Sequence, residues 1–190
     1  MGGMDHKLVV RARGGDPGAF RTLAIESHAR LFGAAFGILR DRDMAQDATQ
    51  HALVNVSRHL QGLRDPGHFE GWSYRILVHA CYAEANDRPG SISDVSLPPG
   101  REPVAADEFG RVDDRDQPER AFRRLSLDHR AVVVLHHLAD LPLETVAQVL
   151  DVKVGTVKSR LHRAMGELRA AIEADTRPAT TIALGREVTP

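Results

Sequence analysis

Apolar residues in the first half of the chain recur at the three- and four-residue spacing of an amphipathic helix. The segment 14–17, GGDP, signals a helix start, because Asp caps helices well and Pro suits the first helical position. We expect one helix from there to about Leu39, a second from about Asp43 to Leu60, and a third from about Phe69 to Asn86. The segment 63–68, LRDPGH, separates the last two.

The second half follows the same helical period. Helices are expected over about 118–125 and 127–138, then a short helix over 142–150 and a longer one from about 154. Asp151-Val152-Lys153 forms a tight turn between the last two. This spacing is typical of a helix-turn-helix, in which the small Ala147 permits close packing and the second helix enters the major groove of DNA.

The second helix of this motif carries its polar residues on one side, because Val157, Leu161 and Met165 take the inward positions. Hydroxyls at a helix N-terminus and cations along its exposed side are the groups that phosphate and base-edge contacts require. An ordinary solvated helix face has the same period, but the turn and a local excess of cations over 154–169 favour DNA binding. The outward residues are Thr156, Lys158, Ser159, Arg160, His162 and Arg163.

Charge and composition divide the chain further. Residues 89–116 contain 3 Lys and Arg against 7 Asp and Glu and show no apolar period, whereas the overall net charge is only −1. This middle segment predicts a flexible acidic linker. We therefore predict an all-α fold, with two small helical domains at 1–88 and 117–175, the linker at 89–116 and a tail at 176–190.

Several classes of protein are disfavoured. A single cysteine, Cys81, permits neither an internal disulfide nor a thiolate zinc site. No signal-peptide or membrane-span pattern is present, so a cytoplasmic protein without membrane insertion is expected. The sequence lacks a phosphate-binding glycine loop, a nucleophile elbow and an HExxH motif, so we predict no enzyme activity and no cofactor. Adjacent His136 and His137 point about 100° apart on a helix, which argues against a metal site.

Two segments carry a family resemblance. VGTVKSRLHRAMGELR, preceded by LPLETVAQVLDVK, resembles the C-terminal helix-turn-helix (domain 4) of bacterial extracytoplasmic-function (ECF) sigma factors of the sigma-70 family. The segment from Gly14 to Leu60, followed by FEGWSYRI, is similar to sigma domain 2. Together the matches cover most of residues 8–172 in the expected order.

The resemblance implies a dissociable RNA polymerase subunit that directs promoter-specific transcription initiation. Its partners would be promoter DNA and the core enzyme, contacted at the β′ coiled coil and the β flap. The six outward residues named above would read the −35 element. The β′ coiled coil would be contacted by Asp47, Gln50, Val54 and Arg58. The −10 element would be read by Arg64, His68, Trp72, Tyr74 and Arg75, with Trp72 the better candidate for a core residue and Tyr74 the more exposed of the two aromatics.

The sequence departs from the family pattern at three places, and two alternatives stay open. The usual arginine run is replaced by the segment 79–88, His51 stands where Glu is usual, and Asp151 replaces the Gly of the turn. A free-standing helix-turn-helix regulator would explain only residues 117–172. A sigma-like interaction module with weakened −10 recognition would explain the missing arginines. Anti-sigma factors are common partners in the family, but no residue here identifies one.

Overall fold

The computed structural model describes residues 5–87 and 117–176, and it confirms the all-α fold. The predicted linker and the tail from 177 lie outside the described residues, and the domain boundaries stay a prediction. The helices before residue 88 are here called the first domain and those after residue 116 the second domain. The first domain contains α1 (His6–Arg13), α2 (Pro17–Leu39), α3 (Arg42–His59) and α4 (Phe69–Asp87). The second contains α5 (Gln117–Arg123), α6 (Leu127–Val133), α7 (Leu143–Leu150) and α8 (Val154–Thr176).

Aspartate caps begin α2 and α3, and the cap of α2 is the one predicted from the sequence. Asp16 accepts a hydrogen bond from the Ala19 N–H at 3.0 Å, with Pro17 in the first turn of α2. Asp41 accepts one from the Met44 N–H at 2.9 Å and so begins α3. These caps satisfy backbone donors that the first turn of a helix leaves without partners. The connection between α2 and α3 is therefore short and fixed.

Helix α1 was not predicted from the sequence pattern. It contributes Val9 and Ala12 to a small apolar cluster that also contains Leu23 of α2 and Phe69 of α4. Arg11 forms an ion pair with the α2 cap residue Asp16 at 2.7 Å. The eight residues of α1 are too short to form a stable helix alone, so this tertiary packing accounts for its presence.

The structure divides the predicted helix over 127–138 into two parts. Helix α6 ends at Val133, and residues Val134–Leu138 form a π-helical segment. In this segment the Ala139 N–H donates to the Val134 carbonyl, five residues earlier, at 2.9 Å. Nδ1 of His136 lies 2.9 Å from the Leu141 carbonyl oxygen. The wider turn leaves Leu138 63% exposed.

The two domains pack against each other through one continuous apolar core. Helix α4 lies against α7, and α2 lies against α6 and the π-helical segment. Both approaches depend on glycine: a Cβ at Gly71 would lie 3.1 Å from Thr145 Cγ2, and a Cβ at Gly37 would lie 2.7 Å from Val134 Cγ2. Arg40 at the end of α2 also forms an ion pair with Glu119 of α5. We call this arrangement the closed form.

Candidate nucleic-acid interface

The helix-turn-helix forms where the sequence predicted it. Helix α7 ends at Asp151, which adopts a left-handed conformation with φ 54° and ψ 44°. The Val152 N–H donates to the Ala147 carbonyl at 3.0 Å, which closes the turn, and α8 begins at Val154. Asp tolerates this conformation better than most residues do, so the missing Gly of the turn is accommodated.

Helix α8, hereafter the recognition helix, buries one side and exposes the other. Val157 and Ala164 are fully buried against the rest of the second domain. The opposite side is open to solvent along more than one helical turn, and Thr156 at its start is half-buried. The exposed predicted contacts on this side are Lys158, Ser159, His162 and Arg163.

Arg160 differs from the other predicted −35 contacts. Its side chain is 21% exposed, and its Nη2 forms an ion pair with Asp128 Oδ2 of α6 at 2.5 Å. Two turns further along, Glu167 of the same helix lies 3.2 Å from His129 Nδ1 of α6. The two contacts fix the recognition helix to α6. The Glu167 carboxylate is therefore directed toward α6 rather than toward the exposed cations.

The loop predicted to contact the −10 element is held by Arg13 of α1 and by bonds within the loop itself. Nη1 of Arg13 in α1 donates to the Leu63 and Arg64 carbonyls at 3.2 and 3.1 Å. Asp65 accepts a hydrogen bond from the Gly67 N–H at 2.8 Å, and this bond, together with His68 at 2.9 Å, lowers the pKa of its carboxyl. The loop is therefore rigidly connected at its base, with the Arg64 and His68 side chains exposed.

Of the two aromatic candidates for −10 recognition, Trp72 packs against a core cluster as expected, but Tyr74 is the more buried of the two. Tyr74, predicted to be the more exposed, is only 3% exposed and belongs to the core. Trp72 is half-buried and packs beside Phe69, with ring centroids 6.1 Å apart. The expectation was wrong because α4 contacts α2, α3 and α7, so few of its positions face solvent. Arg75 is exposed on the same helix.

The predicted polymerase-docking residues share one exposed face of α3. Asp47, Gln50, Val54 and Arg58 are all exposed, and we call them the docking face. Val54 is 42% exposed and supplies an apolar side chain to this otherwise polar face. Beside it lies a groove of about 440 Å³ between α2 and α3, lined by Phe20, Ala24, His28, Gln46, Gln50, Leu53, Val54 and Ser57.

Comparison with known proteins identifies the family. Residues 24–88 match the model for sigma-70 region 2, and residues 116–168 match the model for sigma-70 region 4. The ECF RNA polymerase sigma factor SigM of Mycobacterium tuberculosis is 30% identical over 167 residues, which cover 86% of this chain and 82% of that protein. The chain belongs to the ECF sigma factor family.

Two further relatives of this ECF sigma factor match over most of their length. The ECF RNA polymerase sigma-E factor of Escherichia coli K12 is 29% identical over 192 residues, covering 92% of this chain and 95% of that one. The RNA polymerase sigma-H factor of Pseudomonas aeruginosa is 29% identical over 187 residues, covering 89% and 94%. The solved structure of CnrH in complex with the cytosolic domain of CnrY shares the fold, with a TM-score of 0.67, 22% identity, and 90% and 99% coverage.

The departures of this sigma factor from the family pattern have local explanations. His51 Nδ1 lies 2.9 Å from the Glu84 carboxylate of α4. The side chain that replaces the usual Glu therefore connects α3 to α4 and is not part of the docking face. In the segment that replaces the arginine run, Cys81 and Ala85 are buried in the core. Burial also raises the pKa of the Cys81 thiol to about 12, which leaves it protonated at neutral pH.

Sequence reasoning missed two residues that shape these surfaces. Arg13 holds the −10 loop, and Asp128 anchors Arg160. Neither lies in a segment whose pattern signals a contact so far away in the sequence. Within residues 5–87 and 117–176, no three His, Cys, Asp or Glu side chains group as a metal site requires. In the same ranges no helix is both apolar and long enough to cross a lipid bilayer.

Proposed function

We propose that this ECF sigma factor binds the −35 promoter element through the exposed side of its recognition helix. The observation that carries the proposal is the row formed by Lys158, Ser159, His162 and Arg163, all exposed on the side opposite the buried Val157. Such a row places cations and a hydroxyl where a major-groove helix meets phosphates and base edges. Thr156, half-buried at the helix start, is a phosphate contact in this arrangement.

Core RNA polymerase binds the docking face in this proposal. The exposed Val54 and the adjacent groove offer apolar surface, and Asp47, Gln50 and Arg58 supply a polar rim. An apolar centre with a polar rim is the usual anatomy of a protein interface. The β′ coiled coil, expected from the family resemblance, is the partner of α3, and the β flap is the partner of the second domain.

The −10 element is read by the exposed loop and the side of α4 that continues from it. Arg64, His68 and Arg75 supply exposed cationic or polar groups, and the half-buried Trp72 supplies an aromatic ring. Single-strand capture combines a cationic track with aromatic stacking. Only part of that combination is exposed here, so we expect the −35 contacts to dominate promoter affinity.

The proposed partnership with RNA polymerase also determines the enzyme activity and the cellular location expected of this protein. The polymerase performs nucleotidyl transfer, so the sigma factor itself is not an enzyme, and it acts in the cytoplasm where the polymerase is. An anti-sigma partner that covers the docking face and the recognition helix would block both contacts. CnrH was solved with the cytosolic domain of CnrY, and a partner of that kind is our proposal for this chain too.

The first test is binding of the labelled protein to purified bacterial core polymerase, measured by fluorescence anisotropy at moderate salt. We expect nanomolar affinity, and the absence of binding would contradict the proposal.

The second test is binding to a −35 duplex with and without core enzyme. A sigma factor binds weakly alone, because the enzyme holds the two reading domains at the separation that the promoter requires. Tight, salt-sensitive binding by the free chain would instead favour the free-standing regulator.

A further inference from the structure

One carboxylate connects the two domains and the recognition helix. Asp128 lies at the start of α6, and its Oδ1 accepts a hydrogen bond from the Tyr82 hydroxyl at 2.5 Å. Its Oδ2 pairs with Arg160 Nη2, also at 2.5 Å. Tyr82 belongs to α4 of the first domain, whereas Arg160 belongs to the recognition helix. The group that anchors the recognition helix is therefore also a direct contact with the first domain.

The hydrogen bond between Tyr82 and Asp128 is short and charge-assisted. A hydroxyl that donates to a carboxylate forms a short, charge-assisted bond, and both partners here are partly buried. Burial and the neighbouring carboxylate of Asp128 raise the pKa of Tyr82, so the hydroxyl keeps its proton and remains a donor over the working pH range. The Tyr82 ring itself packs against the apolar core that the domains share.

In the closed form, the first domain packs against the first helix of the helix-turn-helix. In a helix-turn-helix bound to DNA, the first helix crosses the sugar-phosphate backbone while the second enters the groove. Here the first helix is α7, and α4 packs along it closely enough that a Cβ at Gly71 would come within 3.1 Å of Thr145 Cγ2. The duplex and the first domain therefore compete for α7.

A second feature of the same interface opposes closure. Arg130, two residues after Asp128 on α6, is 5% exposed, and in the described part of the chain its Nε is buried without a hydrogen-bond partner. Burial and the charges of Arg40 and Arg123 lower its pKa to about 10. A buried guanidinium with an unsatisfied donor is costly, and separation of the domains would hydrate it. The interface therefore contains one contact that favours closure and one group that favours opening.

We propose that the Tyr82–Asp128 hydrogen bond is a catch that holds the two domains closed, and that closure weakens duplex binding by the recognition helix until the domains separate. Opening breaks the bond to Tyr82 but keeps the Asp128–Arg160 pair, so the recognition helix stays anchored while α7 becomes accessible. The DNA half of this proposal rests on the proposed function. The catch itself does not.

The catch can be tested by measuring the distance between the domains in the free protein. Nitroxide labels on Ala29→Cys and Ala170→Cys occupy exposed positions in α2 and α8, while the buried Cys81 stays unlabelled. We expect one short distance in the parent protein. Tyr82→Phe removes only the hydroxyl. In this variant we expect the ratio of open to closed molecules to rise about tenfold, which adds a longer and broader component to the distance distribution. Thr22→Val is the control, because it also removes one exposed hydroxyl, whose bond to the Gly18 carbonyl lies within α2.

Duplex binding by the same variants tests the consequence. Tyr82→Phe should bind a −35 duplex up to about tenfold more tightly without polymerase, because a larger fraction of molecules is competent to bind. Arg130→Met removes the unsatisfied buried charge, so it should keep the short distance and weaken duplex binding by the free protein. Unchanged distances in Tyr82→Phe overturn the proposal, and so does opening without a gain in affinity. If no variant binds any duplex, the proposed function has failed, while the distances still decide whether the catch exists.

Discussion

The recognition helix and α4 both carry predicted DNA contacts, but the two sets differ in how far they are exposed to solvent. The recognition helix is covered on one side, so most of its predicted contacts are exposed. Helix α4 lies between α2, α3 and α7, and one of its candidates, Tyr74, is in the core. Residue type therefore indicates a surface role more safely on a helix at the edge of the molecule than on a central one.

The largest effect expected from this comparison is on stability, at Tyr74. Tyr74→Ala leaves a cavity in the shared core and should lower the free energy of unfolding by about 3 kcal/mol or more. The matched control is the exposed neighbour Arg75→Ala, which should change stability by about 0.5 kcal/mol or less. Urea unfolding of the two variants separates them. Loss of −10 binding by Tyr74→Ala with full stability would restore this side chain as a direct DNA contact.

The next effect separates two arginines on the recognition helix. Arg163→Ala should weaken −35 duplex binding by about 1–3 kcal/mol if it contacts a base edge, and leave stability unchanged. Arg160→Ala should weaken promoter binding less than Arg163→Ala does, but with a loss of stability, because Asp128 loses its ion-pair partner. Polymerase affinity should survive both changes. Equal stability of the two variants would show that the Asp128 pair contributes nothing to the fold.

A smaller effect is expected at the docking face. Asp47→Arg reverses a charge on the rim of the proposed polymerase contact and should lower polymerase affinity by about 1 kcal/mol, or several-fold. Duplex binding by the free protein should not change, which is the reverse of the Arg163→Ala pattern. Lys7→Glu, an exposed charge reversal on α1, is the control. Unaltered polymerase binding by Asp47→Arg would mean that the docking face has been misplaced.

The smallest effect concerns the −10 loop, whose structure depends on an acidic cap. The pKa of Asp65 is lowered from 3.8 by the Gly67 N–H and by His68. Because the folded-state pKa is the lower one, the stabilisation is complete above 3.8 and is lost as the pH falls through the folded-state value. Side-chain NMR titration should show this depressed midpoint. Asp65→Asn should remove the pH dependence of loop amide signals near Gly67 without affecting the recognition helix, whose start lacks an acidic side chain in its first turn.

How much was predictable depends on how local each feature is. The turn at Asp151 and the cap at Asp16 depend on short-range interactions, so the local sequence predicts them. Helix α1 exists because of packing with residues from α2 and α4, and its own eight residues give little signal. The π-helical segment has the same apolar residues as an α-helix, and only the hydrogen-bond register distinguishes it. The closed form depends on Gly37 and Gly71 meeting Val134 and Thr145, which no local pattern records.

The alanine side of α3 has a consequence for binding. Ala45, Ala48 and Ala52 are completely buried, and alanine has no rotamers to lose on folding. The helix is therefore fixed closely to its neighbours through its backbone, and Asp47, Gln50 and Val54 project from a support with little freedom of its own. When a partner meets this face, only the outer side chains remain to be ordered. Most of the configurational entropy of the docking helix has already been lost during folding, so little is left to oppose association.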